Sequence, residues 1–359
     1  MRETPHGDVV EAVNLNHVEF YVSDADAFAG GLTARYGFRP VASTGDGESV
    51  RSIALRQGEI TLVVTSAASA GHPVSEFVET HGDGVSSIAL RVDDARGAFD
   101  RAVRRGARPI AAPAPLGDGV TAAIQGFGDV ALRFVQLPAD AGDNPVPWLP
   151  VVADPGGHGT GLKVLDHFAV CLPPGGVDPH VRFFERVLGF TMIFKERTVA
   201  GEQVMDSKVV QNAGGDVTLV LLEPGHTSGE PGQIDEFVKS NAGPGVQHMA
   251  FTCEDIVTTA AALQERGVEF LDPPASYYEM VGDRVPVLRE HTLEELERLN
   301  ILADQDHDGL LFQSFTRSTT ARRTYFNEVI ERAGATTFGS GNIKALYEAV
   351  ELDQSRGKS

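Results

Sequence analysis

The sequence predicts an α+β fold of two similar halves, each a pair of βαβββ modules whose strands curl around a central space. Three observations predict it. The apolar strand LNHVEFYV at Leu15–Val22 recurs as LDHFAVCL at Leu165–Leu172. Each is followed by apolar residues at helical spacing, Phe28, Leu32 and Tyr36 in one half and Val181, Phe184 and Leu188 in the other. Both helices then run into a Gly-Phe strand start, YGFRPVA and LGFTMIF.

The later elements repeat in the same order. Arg51–Thr65 and Ser207–Leu222 each read as two strands joined by a glycine turn. GDGVSSIAL at Gly82 and GPGVQHMAF at Gly243 each lead into a helix opened by Asp and stopped by Gly, Asp94–Gly106 and Asp255–Gly267. The last strands pair LRFVQL at Leu132 with LLFQSF at Leu310. Between the halves, Pro138–Gly161 is rich in Pro and Gly and reads as a linker. The expected domains are therefore 1–150 and 151–359. The second half carries an insertion, Asp272 to Asp308, with Tyr277, Tyr278 and a short helix capped by Thr292 and Glu295 as a capping box.

With 359 residues the chain is long enough for each half to bury a core. The formal charge of −20 excludes a nucleic-acid backbone as partner. No apolar run approaches the roughly 20 residues that span a bilayer, so no membrane partner is expected. The N-terminus lacks the apolar region of a secretory signal. Cys171 and Cys253 lie in strand-like segments without zinc-ligand spacing, which fits a reducing cytoplasm.

Chemistry concentrates on three residues. Glu328 sits among Phe326, Val329 and Ile330 in a predicted buried strand, where a carboxylate is costly unless paired. Arg323 or Arg332 would serve as an ordinary salt-bridge partner. The alternative partners are His167, which opens the first strand of the second half, and His248, on the strand of its second module. Two imidazoles and one carboxylate facing a common interior match the facial triad of non-haem Fe(II) oxygenases, which leaves positions open for substrate and O2. Zn(II) or Mn(II) would also suit such a set. In the first half His17 stands where His167 stands, Ser87 takes the place of His248, and no carboxylate follows Gln136 to match Glu328. That half reads as a structural copy without metal, with His17 a core residue. His6, His72, His81, His158, His180, His226, His291 and His307 are expected on loops or polar faces.

LDHFAVCL, GQIDEF at Gly232, GVQHMAF, LLFQSFT, FNEVIER and FGSGNIKALYEA together resemble the 4-hydroxyphenylpyruvate dioxygenase family, over nearly the whole chain. The resemblance implies the vicinal-oxygen-chelate fold, Fe(II) at His167, His248 and Glu328, and a 2-oxo acid, 4-hydroxyphenylpyruvate, oxidised by O2. It implies substrate contacts from Ser207, Gln233, Gln247, Gln313 and Asn342 and an aromatic wall from Phe338. It also implies a homodimer or homotetramer. Two features depart from the homogentisate-forming pattern. Ile343 replaces a Phe in FG-x-GNFKALF, and Val220 and Leu222 replace the Pro and Asn of a P-x-N-E motif. These departures are similar to the branch that hydroxylates the benzylic carbon, giving (S)-4-hydroxymandelate for 4-hydroxyphenylglycine in peptide antibiotic biosynthesis. The terminal helix, with Ile343, Leu346, Tyr347 and Val350 at helical spacing, is read as a lid over the site. A metal-free or zinc-bound binding protein of the same fold is the rival from another class. An extradiol catechol dioxygenase is disfavoured by the GNIKALYEA helix.

Overall fold

The computed structural model describes residues 14–45, 47–153, 156, 159–200, 203–225, 231–285, 288 and 290–346. His6, His158, His226, Tyr347 and Val350 lie outside the described residues.

Strands β1 (Asn14–Tyr21), β2 (Arg39–Ser43), β3 (Val50–Gln57), β4 (Ile60–Ala67), β5 (Gly84–Arg91), β6 (Pro109–Leu116), β7 (Gly119–Phe127) and β8 (Val130–Gln136) form one eight-stranded sheet. Its order is β2-β3-β4-β1-β5-β8-β7-β6. A second eight-stranded sheet contains β9 (Leu165–Cys171), β10 (Thr191–Ala200), β11 (Gln203–Gln211), β12 (Thr218–Pro224), β13 (Gly245–Thr252), β14 (Leu302–Gln305), β15 (Leu310–Phe315) and β16 (Phe326–Ala333). Its order, β10-β11-β12-β9-β13-β16-β15-β14, repeats the first strand for strand. In each sheet an antiparallel central pair, β1/β5 or β9/β13, is flanked by parallel neighbours. The period-two alternation of strands sends Phe168 and Val170 to the main core and Ala169 and Cys171 to the opposite face.

This topology corrects one sequence match. The counterpart of LLFQSF in β15 is β7, and LRFVQL in β8 occupies the place of β16. His17 pairs with Ala89, and Ala89 with Arg133; His167 pairs with Ala250, and Ala250 with Glu328. Arg133 therefore stands where the second half has Glu328. Adjacent buried strands share one apolar pattern, so composition alone misassigned them. The places of His17 and Ser87 agree with the sequence reading.

Helices α1 (Ala25–Gly31) and α4 (Val177–Phe183) each continue into a π-helical turn, Leu32–Tyr36 and Phe184–Leu188. Each turn ends on a left-handed glycine, Gly37 at φ +76° and Gly189 at φ +71°, which is why Gly-Phe recurs at this point. Asp94 and Asp255 cap α3 (Ala95–Arg104) and α6 (Ile256–Glu265) as expected. Thr292 and Glu295 form the capping box of α8 (Leu293–Arg298). Three helices were not legible in the sequence: α2 (Pro73–His81), α5 (Gln233–Ser240) and α7 (Ala275–Arg284). Gln233 is the first residue of α5. Among the described residues no helix is long and apolar enough to cross a membrane.

The two halves share one apolar cluster instead of burying separate cores. Phe20 meets Tyr325 edge-on at 5.1 Å, and Phe38 meets Phe251 at 6.2 Å. The Pro/Gly-rich segment expected as a linker is packed onto the first sheet. Val146 and Leu149 are buried there with Val63 and Ala54, and Trp148 reaches the His17 ring at 5.7 Å. This segment covers the face whose counterpart in the second half is open. Two histidines expected at the surface are also inside. His81 bonds the Asn241 carbonyl and Asp129, and His291 bonds Glu331.

Gly37 tests the turn that ends the first module's helix. A Cβ there would take a left-handed conformation costing roughly 1–2 kcal/mol and lie 3.1 Å from the Thr160 amide nitrogen. Gly37→Ala is expected to lower the free energy of unfolding by at least that much and the urea midpoint with it, measured by equilibrium unfolding.

Candidate metal centre

His167, His248 and Glu328 converge from β9, β13 and β16, the three adjacent strands at the centre of the second sheet. Their ligand atoms lie within 4.8 Å of one another. Glu328 Oε2 is 3.4 Å from the Nε2 atoms of both histidines. The arrangement follows from register: His167 and Glu328 flank Ala250, two residues beyond His248 on the strand between them.

Both imidazoles are oriented from behind. His167 Nδ1 donates to Asp166 Oδ1 at 2.8 Å, and a carboxylate can only accept, so Nε2 is left free toward Glu328. Asp166 is itself clamped by Arg332, Nε to Oδ2 at 2.7 Å and Nη2 to Oδ1 at 2.8 Å. Arg332 also donates to the carbonyls of Ala335 and Thr337 and lies over the Phe338 ring. His248 Nδ1 meets Gln247 Oε1 at 3.3 Å, and its ring stacks on Phe326 at 4.8 Å. The salt-bridge alternative for Glu328 is thereby set aside, because Arg332 is committed to Asp166.

The two histidines differ electrostatically because of these partners. Burial lowers the His167 pKa, but the Glu328 carboxylate and then Asp166 outweigh it and raise it to about 9. His248 has a neutral amide behind it, and burial, the largest influence, leaves its pKa lowered. Burial acts to raise Glu328, yet the two imidazoles bring it down to about 2. A buried anion with two imidazole nitrogens aimed at it, and no thiolate nearby, fits a divalent metal of borderline character.

The triad opens into a cavity of about 740 Å³. Ser207, Val220, Leu222, Gln233, Gln247, Phe338 and Ile343, all singled out in the sequence, line it. Gln313 and Asn342, expected to contact substrate, lie behind the residues that line this cavity. Gln313 Nε2 donates to Glu328 Oε1 at 2.7 Å, and its carbonyl oxygen accepts from Asn342 Nδ2 at 2.9 Å, so this pair of amides backs the carboxylate. Sequence reasoning missed Phe194, Phe315 and Phe326 on the cavity wall, although their inward alternation on β10, β15 and β16 was available as a signal. It also missed the Asp166–Arg332 clamp, which joins residues far apart in the chain. The start of the terminal helix, at residues 340–346, places Ile343 and Leu346 at the cavity mouth. Another grouping with metal-ligand chemistry, Asp306, His307 and Asp308, is a turn: Asp306 accepts from the backbone of Asp308, Gly309, Thr336 and Thr337.

Paired βαβββ modules with two histidines and a glutamate at one cavity define a vicinal-oxygen-chelate enzyme of the dioxygenase class. Residues 164–313 match the Glyoxalase/Bleomycin resistance protein/Dioxygenase superfamily, and residues 8–142 match the hydroxyphenylpyruvate dioxygenase N-terminal family. The chain is 34% identical to 4-hydroxyphenylpyruvate dioxygenase of Hordeum vulgare, over 98% of this chain and 90% of that one. It is 33% identical to the Danio rerio enzyme of the same name, over 95% and 91% of the two chains. A solved triple mutant of 4-hydroxymandelate synthase from Streptomyces coelicolor superimposes with a TM-score of 0.83, at 40% identity over 95% of this chain and 98% of that one. The chain belongs to the 4-hydroxyphenylpyruvate dioxygenase family, and its reaction is of that dioxygenase type.

Two outcomes follow for the metal-free protein. With its pKa at about 9, His167 is protonated at neutral pH and must lose that proton to ligate, whereas the lowered His248 is already neutral. Metal uptake is therefore expected to release about one proton and to strengthen as pH rises toward 9. Calorimetry in buffers of different ionisation enthalpy measures this. Asp166→Asn removes the charge behind His167 and is expected to weaken metal binding by roughly 10–100-fold in an anaerobic titration.

Proposed function

We propose that the chain binds Fe(II) at His167, His248 and Glu328 and converts 4-hydroxyphenylpyruvate and O2 to (S)-4-hydroxymandelate and CO2. The equation balances, with one oxygen atom of O2 entering the new carboxyl group of hydroxymandelate and the other its hydroxyl, while CO2 is the substrate's own carboxyl group. Bound Fe(II) supplies the redox chemistry that activates O2 and drives loss of the carboxyl group. The protein's part is to hold and orient the aromatic side of the substrate. Phe338, edge-on to His167 at 5.3 Å and 6.0 Å from Phe194, forms an aromatic wall beside the triad. Ser207 and Gln233 offer polar atoms further along the cavity, and Gln247 keeps an amide donor free next to His248.

The observation that carries the choice of product is the apolar wall at Val220, Leu222 and Ile343, which face the same cavity as the triad. Homogentisate formation requires attack on ring carbon C1 and side-chain migration. Hydroxymandelate formation requires reaction at the benzylic carbon, a fraction of a ring's width away. A difference of about 1.4 kcal/mol between the two barriers gives tenfold selectivity, and the shape of an apolar wall supplies that through orientation. The alternative reading is homogentisate formation in tyrosine catabolism. The proposed setting is cytoplasmic supply of 4-hydroxyphenylglycine for a peptide antibiotic, by a homodimer or homotetramer. Residues 1–150 are proposed to act as a metal-free structural domain, with Arg133 in place of the ligand carboxylate.

The test is turnover of 4-hydroxyphenylpyruvate by the Fe(II)-loaded protein in air. The two products are isomers, so retention against authentic standards separates them where mass does not. Hydroxymandelate is expected, and His248→Ala is expected to abolish oxygen uptake. Ile343→Phe is expected to raise the homogentisate fraction several-fold. Homogentisate from the unaltered protein would move the assignment to the alternative, and absence of oxygen uptake would remove the substrate assignment.

A further inference from the structure

We infer that Tyr277, which lies outside the cavity, is a positioning residue that fixes which oxygen of Glu328 faces the metal. This rests on the reading of His167, His248 and Glu328 as a metal site. A buried hydrogen-bond chain runs from α7 to the triad. Tyr277 Oη is 2.8 Å from Asn342 Oδ1, Asn342 Nδ2 is 2.9 Å from Gln313 Oε1, and Gln313 Nε2 is 2.7 Å from Glu328 Oε1. Tyr277, Gln313, Asn342 and Glu328 are all at most 1% exposed, so water does not supply alternative partners.

The chain has a polarity, set at its far end by a group that cannot reverse. The Ala303 backbone N–H donates to the Tyr277 oxygen at 2.9 Å, and the guanidinium of Arg284 beside it is also a donor only. The tyrosine oxygen therefore accepts, and its single proton goes to its shorter neighbour, Asn342 Oδ1, over the Ala303 carbonyl at 3.3 Å. Burial pushes the hydroxyl up to about 12, so that proton stays in place. With its oxygen accepting, Asn342 presents NH2 to Gln313. With its own oxygen accepting in turn, Gln313 presents NH2 to Glu328.

The consequence falls on the carboxylate. Gln313 occupies Oε1, while Oε2 is the atom 3.4 Å from both histidines. A flipped Gln313 would set an amide oxygen against the carboxylate and turn an attraction into a repulsion. Gly339 leaves room for the Gln313 amide: it sits at φ +73°, and a Cβ there would overlap that amide. Asn342 belongs to the first turn of the terminal helix, so the same chain ties the seating of that helix to the metal carboxylate.

Co(II) is the probe, followed by its visible absorption and by competition with a chelator, in the full-length metal-free protein. Tyr277→Phe leaves both amides free to flip and is expected to weaken Co(II) binding about tenfold or more. Tyr278→Phe removes the hydroxyl of the adjacent ring, which has no hydrogen-bond partner among the described residues, and is expected to leave binding unchanged. The decisive measurement is the Tyr277→Phe effect in a Gln313→Leu background. If Tyr277 acts through Gln313, the second substitution adds nothing to the first. Equal losses in both backgrounds would mark a general structural role and overturn the inference, as would full affinity in Tyr277→Phe alone. Failure of the unaltered protein to bind Co(II) would remove the metal reading itself, and this inference with it.

Discussion

The structure depends on one buried carboxylate. Glu328 is 1% exposed on a central strand, and a charge in that position is tolerated only with partners that compensate its lost hydration. The fold spends no arginine on it. Arg332, four residues on along the same strand, is bound to Asp166, and Glu328 is left with two imidazoles and one amide. A salt bridge would have closed the site. Two neutral-capable nitrogen ligands and one charge leave a deficit of positive charge that a divalent cation satisfies.

The first half solves the same geometric problem in the opposite way. Arg133, in the place of Glu328, approaches Glu19, two residues along β1 from His17, at 3.9 Å. Ser87, in the place of His248, donates to that glutamate at 3.3 Å, and so does Thr65 at 3.0 Å. Trp148 and its neighbours then pack over this face. Burial lowers His17 to about 3, with Arg133 acting the same way, so it stays neutral. One topology thus supports an internally neutralised face and an open metal-binding face, and the difference lies in three register positions. Function here belongs to those positions more than to the sheet that carries them.

The parts of this arrangement legible in the sequence were those repeated within it. The strands at His17 and His167, the glycine turns and the Asp-capped helices announced themselves by recurring, and the contrast between halves isolated His248 and Glu328. The pairing of LRFVQL with LLFQSF failed because two neighbouring buried strands look alike and only hydrogen-bond register separates them. The helices α2, α5 and α7 are short, and their stability comes from packing more than from local pattern. Gln313 and Asn342 were located, but their hydrogen bonds to Glu328 and Tyr277 were not legible. Whether an amide faces a cavity or the back of a carboxylate depends on partners such as Tyr277, distant in sequence, and not on its own neighbours.

Those hydrogen bonds show how the site divides its work. The groups that hold the triad, Asp166, Arg332, Gln313, Asn342 and Tyr277, approach it from behind and do not line the cavity. Val220, Leu222, Phe338 and Ile343 line the cavity and take no part in those hydrogen bonds, although Phe338 packs against His167 and under the Arg332 guanidinium. Ile343 is 41% exposed at the cavity mouth, next to Asn342 of that network. At Val220 and Leu222, on β12, the two halves of the problem are separable. A change at Val220 or Leu222 reshapes the wall without touching the residues that hold the triad. Selectivity between isomeric products needs only a small energy difference, and a wall decoupled from the metal scaffold is where such a difference can arise without loss of the metal site.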